Sequence, residues 1–181
     1  MPKKYELNAG IILLVPERMR GLKSDFMMRV LFALLLLIVT PLTALAVDMP
    51  LTGVHGNRVN LSSYQGKWLV VNYWATWCPP CIVEMPELQS FHDQHAAADD
   101  AMVIGINTEL IGKQRLLEFL EDYFITYPIF VSKPTQQSEL GLIPGLPTTF
   151  LVTPQGKVVA RQVGPVTQEM IEQFMQNFQA Q

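Results

Sequence analysis

From residue 51 onward the apolar positions switch between short continuous runs and a wider helical spacing. Trp68–Trp74 (WLVVNYW) is an unbroken run of β-branched and aromatic residues, which predicts a strand buried on both faces. Ala101–Glu109 (AMVIGINTE) is a second such run, and YPIFVSK a short third. Between the first two, Ile82, Met85, Leu88 and Phe91 recur on one helical face, predicting a helix to about His95 with AAADD as the loop behind it. KQRLLEFLEDYF places Leu116, Leu117, Leu120 and Phe124 at the same spacing. TTFLVTPQGKVVARQVG predicts two strands joined at Pro154-Gln155-Gly156. TQEMIEQFMQNF predicts a last helix, with Thr167 as N-cap and Met170, Ile171, Phe174 and Phe178 as its apolar face. LTGVHGNRVNL adds an N-terminal hairpin turning at His55-Gly56-Asn57. After that hairpin the order is β–α–β–α–β–β–α. Strands that follow helices imply parallel pairing, and the late hairpin adds an antiparallel edge. The expected class is α/β, a central mixed sheet flanked by helices.

Ahead of this body the pattern changes kind. MMRVLFALLLLIVTPLTALAVD carries Arg29, an unbroken apolar run from Val30 to Val39, then Pro41 and Ala44-Leu45-Ala46. A positive start, an apolar core and a small-x-small end read as a secretory signal over residues 27–46, cleaved after Ala46. The run covers only about half of a ~30 Å hydrocarbon core. An uncleaved anchor, using Val30 to Val47 together, is the second reading. No cysteine stands near the cleavage site to take a lipid. Residues 1–26 read as an extension from a mis-called start, with Met27 or Met28 as the initiator, and no function is assigned to them. Residues 47–181 are expected to form one domain in the periplasm or cell envelope, where disulfides persist.

Composition agrees with a packed domain: 49% of the 181 residues are hydrophobic and 16% charged. The charge is uneven. Residues 1–46 hold six Lys/Arg against three Asp/Glu, and residues 47–181 hold seven against thirteen. An acidic body argues against a nucleic-acid partner, which needs clustered cations.

The chain has two cysteines, Cys78 and Cys81, in YWATWCPPCIVEMP. Three readings compete. A structural disulfide across so short a loop gains little chain entropy. A metal site would join the pair to His92 and His95 (HDQH), close to zinc-finger spacing without meeting it; otherwise those histidines are solvated at a helix end. A redox dithiol would place Cys78 where a strand gives way to a helix, with the helix N-terminus favouring the thiolate and Cys81 one turn inward.

VNYWATWCPPC, the EMPEL that follows, GIN in the next strand, GLPTTFLV and GKVVARQVG together resemble the TlpA/ResA-like branch of the thioredoxin family, from about Leu51 to Phe178. The resemblance implies a thioredoxin-like fold with an extra N-terminal β-hairpin and no cofactor beyond a redox-active Cys78–Cys81 disulfide. It implies Cys78 as attacking thiol, Cys81 as resolving thiol and Glu84 as a partly buried acid that moves protons for them. That last role needs a pKa raised by desolvation. Glu87 is expected to be solvated. Asn72 stands where thioredoxin proper has a buried aspartate relay, which shifts that duty to Glu84. Pro147 matches the family's cis-proline, exposing the backbone of Leu146 to a substrate strand. Trp77 is expected on an exposed apolar rim around Cys78, while Trp74 is either rim or core. Pro86 is expected to kink its helix.

Pro79 and Pro80 suit a first helical turn and also border the substrate site. They delete donors that would solvate the Cys78 thiolate, so a comparatively reducing couple is expected. The implied activity is an exported thiol–disulfide oxidoreductase. Reduction of envelope protein disulfides is the expected direction, as in cytochrome c maturation or at copper-site cysteines. The implied partners are protein thiols and disulfides and a membrane thiol-transfer electron donor, with contact to the membrane only through the signal or anchor, and a monomer is expected. A metallochaperone module using the CxxC as ligands is the alternative. A peroxidase of the related peroxiredoxin type would want Thr three residues before its cysteine, where this chain has Ala75.

Overall fold

A computed structural model describes residues 46–180. Residues 1–45, which hold the expected extension and all but the last residue of the expected signal, lie outside the described residues. The chain forms β1 (Pro50–Gly53), β2 (Arg58–Asn60), a 3-10 turn (Leu61–Tyr64), β3 (Trp68–Trp74), α1 (Pro79–Ala98), β4 (Ala101–Asn107), α2 (Lys113–Asp122), β5 (Ile129–Val131), β6 (Gln137–Ser138), β7 (Gly141–Leu142), β8 (Thr148–Val152), β9 (Val158–Val163) and α3 (Gln168–Gln179). Seven strands make one sheet in the order β2-β1-β5-β4-β3-β8-β9, and β6 pairs with β7 apart from it. β4 runs parallel to β3 and β5, whereas β8 and β9 are antiparallel neighbours. This is the mixed sheet that the element order predicts.

β3 lies at the centre, buried along its whole length. Because side chains alternate across a strand, its residues divide between two cores. Leu69, Val71 and Tyr73 join Ile104, Ile106, Phe130 and Phe150 on one face. Among the described residues, that face is covered by Met49, Leu61, Leu140 and Ile143 rather than by an α-helix. Trp68 and Val70 join Leu88 and Phe91 of α1 and Ile171 and Met175 of α3 on the other. A third apolar group gathers where β3 ends: Trp74, Ala75, both cysteines, Met85 of α1, and Leu116 and Leu120 of α2.

Both predicted hairpins form, with Gly56 (φ +83°) and Gly156 (φ +80°) in their turns. The first is built into the sheet, since β1 also pairs with β5. Four expectations need correction. AAADD is not a loop throughout, because Ala96–Ala98 continue α1 to a left-handed stop at Asp99 (φ 57°); alanine has the best helix propensity. Phe124 is off the helical face, beyond the end of α2, at φ 55° and 82% exposed. Ile82 is only half-buried, and the inward stripe of α1 is Cys81, Glu84, Met85, Leu88 and Phe91. Met170 points out, and the buried anchors of α3 are Ile171 and Met175. Thr167 is the N-cap as expected, its hydroxyl accepting from the Met170 N–H at 3.2 Å.

Candidate active site

β3 ends at Trp74, and Ala75, Thr76 and Trp77 lead the chain to α1. Cys78 is the N-cap of α1, with extended backbone at φ −94° and ψ 103°. Its N–H donates to the Ala75 carbonyl, and its own carbonyl accepts from Ile82 N–H, both at 3.2 Å. Pro79 and Pro80 occupy the first two helical positions. Of the first three nitrogens of the helix, only that of Cys81 carries a hydrogen. Cys78 and Cys81 form a disulfide, their Cα atoms 5.3 Å apart. In this oxidised state both are buried among Trp74, Met85, Leu116 and half-buried Leu146. Trp77 stands beside them, 67% exposed. The Leu146–Pro147 peptide is cis. Trp74 is core, wholly buried and stacked on Phe119. Pro86 lies inside α1, which continues past it to Ala98.

Glu84 follows Cys81 by three residues, so both project from one face of α1. It is 1% exposed. Its Oε1 accepts from Asn72 Nδ2 at 2.7 Å, and its Oε2 accepts from the Val166 N–H at 2.9 Å. Loss of hydration pushes the carboxyl up to about 7, against the opposing pull of those two donors. Asn72 also donates to Thr149 Oγ1 at 2.9 Å, from the residue directly across the β3–β8 ladder. The Asn72 amide thus holds the acid in place. An acid with this pKa near Cys81 can hold or yield a proton at neutral pH.

The histidines are elsewhere and are not solvated as expected. His92 begins about 16 Å along α1 from Cys81. Its Nδ1 accepts from the Val103 N–H at 3.3 Å, and burial pulls its pKa down. His95 meets Asp100 at 2.9 Å and Glu172 at 3.5 Å. Among the described residues no three His, Cys, Asp or Glu side chains gather as a metal-ligand set. Glu87 is exposed but engaged, its Oε2 accepting from the Gln168 N–H at the start of α3.

Sequence reading missed Thr149, Val166 and Glu109. Glu109 accepts from the Thr76 N–H at 2.9 Å and from Asn107 Nδ2 at 3.0 Å, fixing the approach to Cys78. Thr149 lay inside the quoted GLPTTFLV, but only the strand register reveals its partner. Val166 contributes a backbone group, which no side-chain pattern signals.

A mixed sheet with a disulfide capping the helix after its central strand, and a buried acid one turn on, defines a thioredoxin-fold dithiol–disulfide protein. The AhpC/TSA family model matches residues 42–161. The chain belongs to that family, and it is closely related to the TlpA/ResA/DsbE-type thiol–disulfide oxidoreductases. It is 30% identical over 132 residues to the thiol–disulfide oxidoreductase ResA of Bacillus subtilis, covering 72% of each chain. It is 32% identical to ResA of Geobacillus kaustophilus, over 76% of this chain and 81% of that one. Among solved structures, a DsbF homologue from Corynebacterium diphtheriae shares 28% identity at a TM-score of 0.63, over 74% of this chain and 86% of that one. StoA from Bacillus subtilis shares 26% at 0.56, over 73% and 98%. The protein is a thiol–disulfide oxidoreductase acting on protein substrates.

Proposed function

We propose that this protein reduces disulfides of exported proteins in the cell envelope, with Cys78 as nucleophile and Cys81 as resolving thiol. The Cys78 thiolate attacks a substrate disulfide and forms a mixed disulfide; one substrate sulfur leaves as thiolate and takes a proton. Cys81 then attacks Cys78, the second substrate thiol departs, and the enzyme is left oxidised. Two electrons pass from enzyme to substrate. Glu84 takes up the Cys81 proton in the second step. A membrane thiol-transfer protein returns the electrons. Candidate substrates are apocytochrome c and copper-site cysteines. Trp77, Pro79, Pro80, Leu146 and Pro147 form the surface on which the substrate chain lies, and residues 27–46 direct export, as cleaved signal or retained anchor.

The observation that carries this reading is Glu84. It is a carboxyl buried on the face of α1 that carries Cys81, pushed up to about 7 by loss of hydration and fixed by Asn72 and Val166. Cys81→Ser tests the assignment, since it leaves substrates covalently held on Cys78. The expected capture is of envelope proteins, released by a small thiol. No adduct, or adducts that persist in Cys78→Ser/Cys81→Ser, would overturn the roles given to the two cysteines.

A further inference from the structure

The ends of β3, β4 and β5 stand in one row. Parallel pairing sets Trp74, Asn107 and Val131 side by side at the carboxyl edge of the sheet. The Thr108 N–H donates to the Trp74 carbonyl at 3.0 Å, and the Ser132 N–H donates to the Asn107 carbonyl at 2.9 Å. The chain leaving β3 reaches Cys78. The chains leaving β4 and β5 border an open cleft of about 550 Å³.

This cleft shares its floor with the disulfide. Leu116 lines it and also packs in one group with Cys78 and Cys81. Val54, Ile111 and Val131 line it too, and lie against that same group. The rim reaches the active-site loop, because Glu109 lines the cleft and its Oε1 accepts from the Thr76 N–H at 2.9 Å. Next in sequence to this bonded pair are Leu110, 86% exposed, and Trp77, 67% exposed. Two large apolar side chains in solvent thus adjoin the link between the cleft and Cys78.

The charge at the cleft runs against that of the molecule. Lys113 and Lys133 line it, both exposed, and neither forms an ion pair among the described residues. Glu109 is the one acid among its described lining residues, and it is engaged by Thr76 and Asn107. Residues 47–181 hold seven Lys/Arg against thirteen Asp/Glu, and two of those seven cations meet here. The field of the whole body disfavours an acidic partner, so attraction to one has to come from this local pair. An apolar floor with unpaired cations at its mouth complements a segment that is both apolar and acidic.

We propose that the cleft is a docking site for the substrate protein, selecting chains with acidic side chains close to the disulfide that Cys78 attacks. The proposal rests on the reading of Cys78 as the attacking thiol and names the substrates that this thiol meets. Two strand spacings of about 4.8 Å separate the ends of β3 and β5, and an extended chain covers about 3.3 Å per residue. The selected acids therefore lie about three to four residues from the attacked cysteine. Their carboxylates meet Lys113 and Lys133, and an apolar neighbour covers Leu110 and Ile111. The exchange chemistry is unaltered; the cleft acts on the encounter.

Peptide reduction by the reduced full chain decides it. Two synthetic disulfide peptides are compared, identical except for Asp-Asp or Asn-Asn placed about four residues from one cysteine. The reduced peptide is separated after acid quenching. The wild type should reduce the acidic peptide about fivefold faster, the gain that two exposed ion pairs supply. That ratio should shrink at high salt, fall to one in Lys113→Gln/Lys133→Gln and persist in Lys113→Arg/Lys133→Arg. Equal rates in the wild type, or a ratio that survives in the Gln variant, overturn the docking site and leave the role of Cys78 intact. Loss of the ratio in the Arg variant overturns charge as its cause. If neither peptide is reduced by a protein that still cycles with small thiols, the attack by Cys78 on polypeptides fails, and the docking site with it.

Discussion

Glu84 makes the stability of the fold depend on pH. A carboxyl whose folded pKa stands near 7, above an unfolded value of 4.5, keeps its proton longer in the fold than out of it. The unfolded chain then binds fewer protons between those values, so stability is full below about pH 4.5 and falls as pH rises towards 7. The loss is on the order of 3 kcal/mol. Urea titrations of the oxidised protein at pH 4.5 and pH 8 should show this fall in the wild type and its absence in Glu84→Gln. A second expectation concerns Pro80. The side chain of an N-cap residue accepts from the second or third helical N–H, and Pro80 removes the second. Pro80→Ala restores that donor to the Cys78 thiolate and stabilises the reduced form. Its reduction potential should rise by about 30 mV, equivalent to about 1.4 kcal/mol for two electrons, as read by equilibration with glutathione. At this scale the sequence was uneven evidence. The position of Cys78 at a strand-to-helix junction follows from local pattern alone. The partners that perturb Glu84 come from positions 12 and 82 residues away, and their distances depend on register.

Elements were legible where local rules act without competition. Thr167 begins α3 because its hydroxyl satisfies an N–H of the first turn, a rule carried within four residues. Thr167→Ala should lose about 1 kcal/mol in urea unfolding and leave disulfide exchange unchanged. Phe124 misled because its spacing continues the α2 pattern while its backbone does not. At φ 55° it sits in the left-handed region, with the ring in solvent. Phe124→Gly should therefore gain about 1 kcal/mol, measured the same way. The β6–β7 pair escaped notice for another reason: two residues per strand are too few to show alternation.

For the molecule as a whole, the N-terminal hairpin belongs to the core. Leu51 is 3% exposed and packs with Tyr73 and Phe130 under the sheet. Leu51→Ala should cost about 3 kcal/mol in a single cooperative transition, detectable by calorimetry. The sequence announced the hairpin but not its place, since β1 joins β5 across a long stretch of chain. That placement leaves β2 and β9 at the two margins of the sheet. β2 is three residues long and opens with Arg58; β9 carries Arg161 and Gln162 on its outward half. Short length and cationic side chains discourage a stranger's strand from zipping on. The two margins of this oxidoreductase's sheet thus make a poor template for fibre growth, and concentrated solutions should stay clear of amyloid even when seeded.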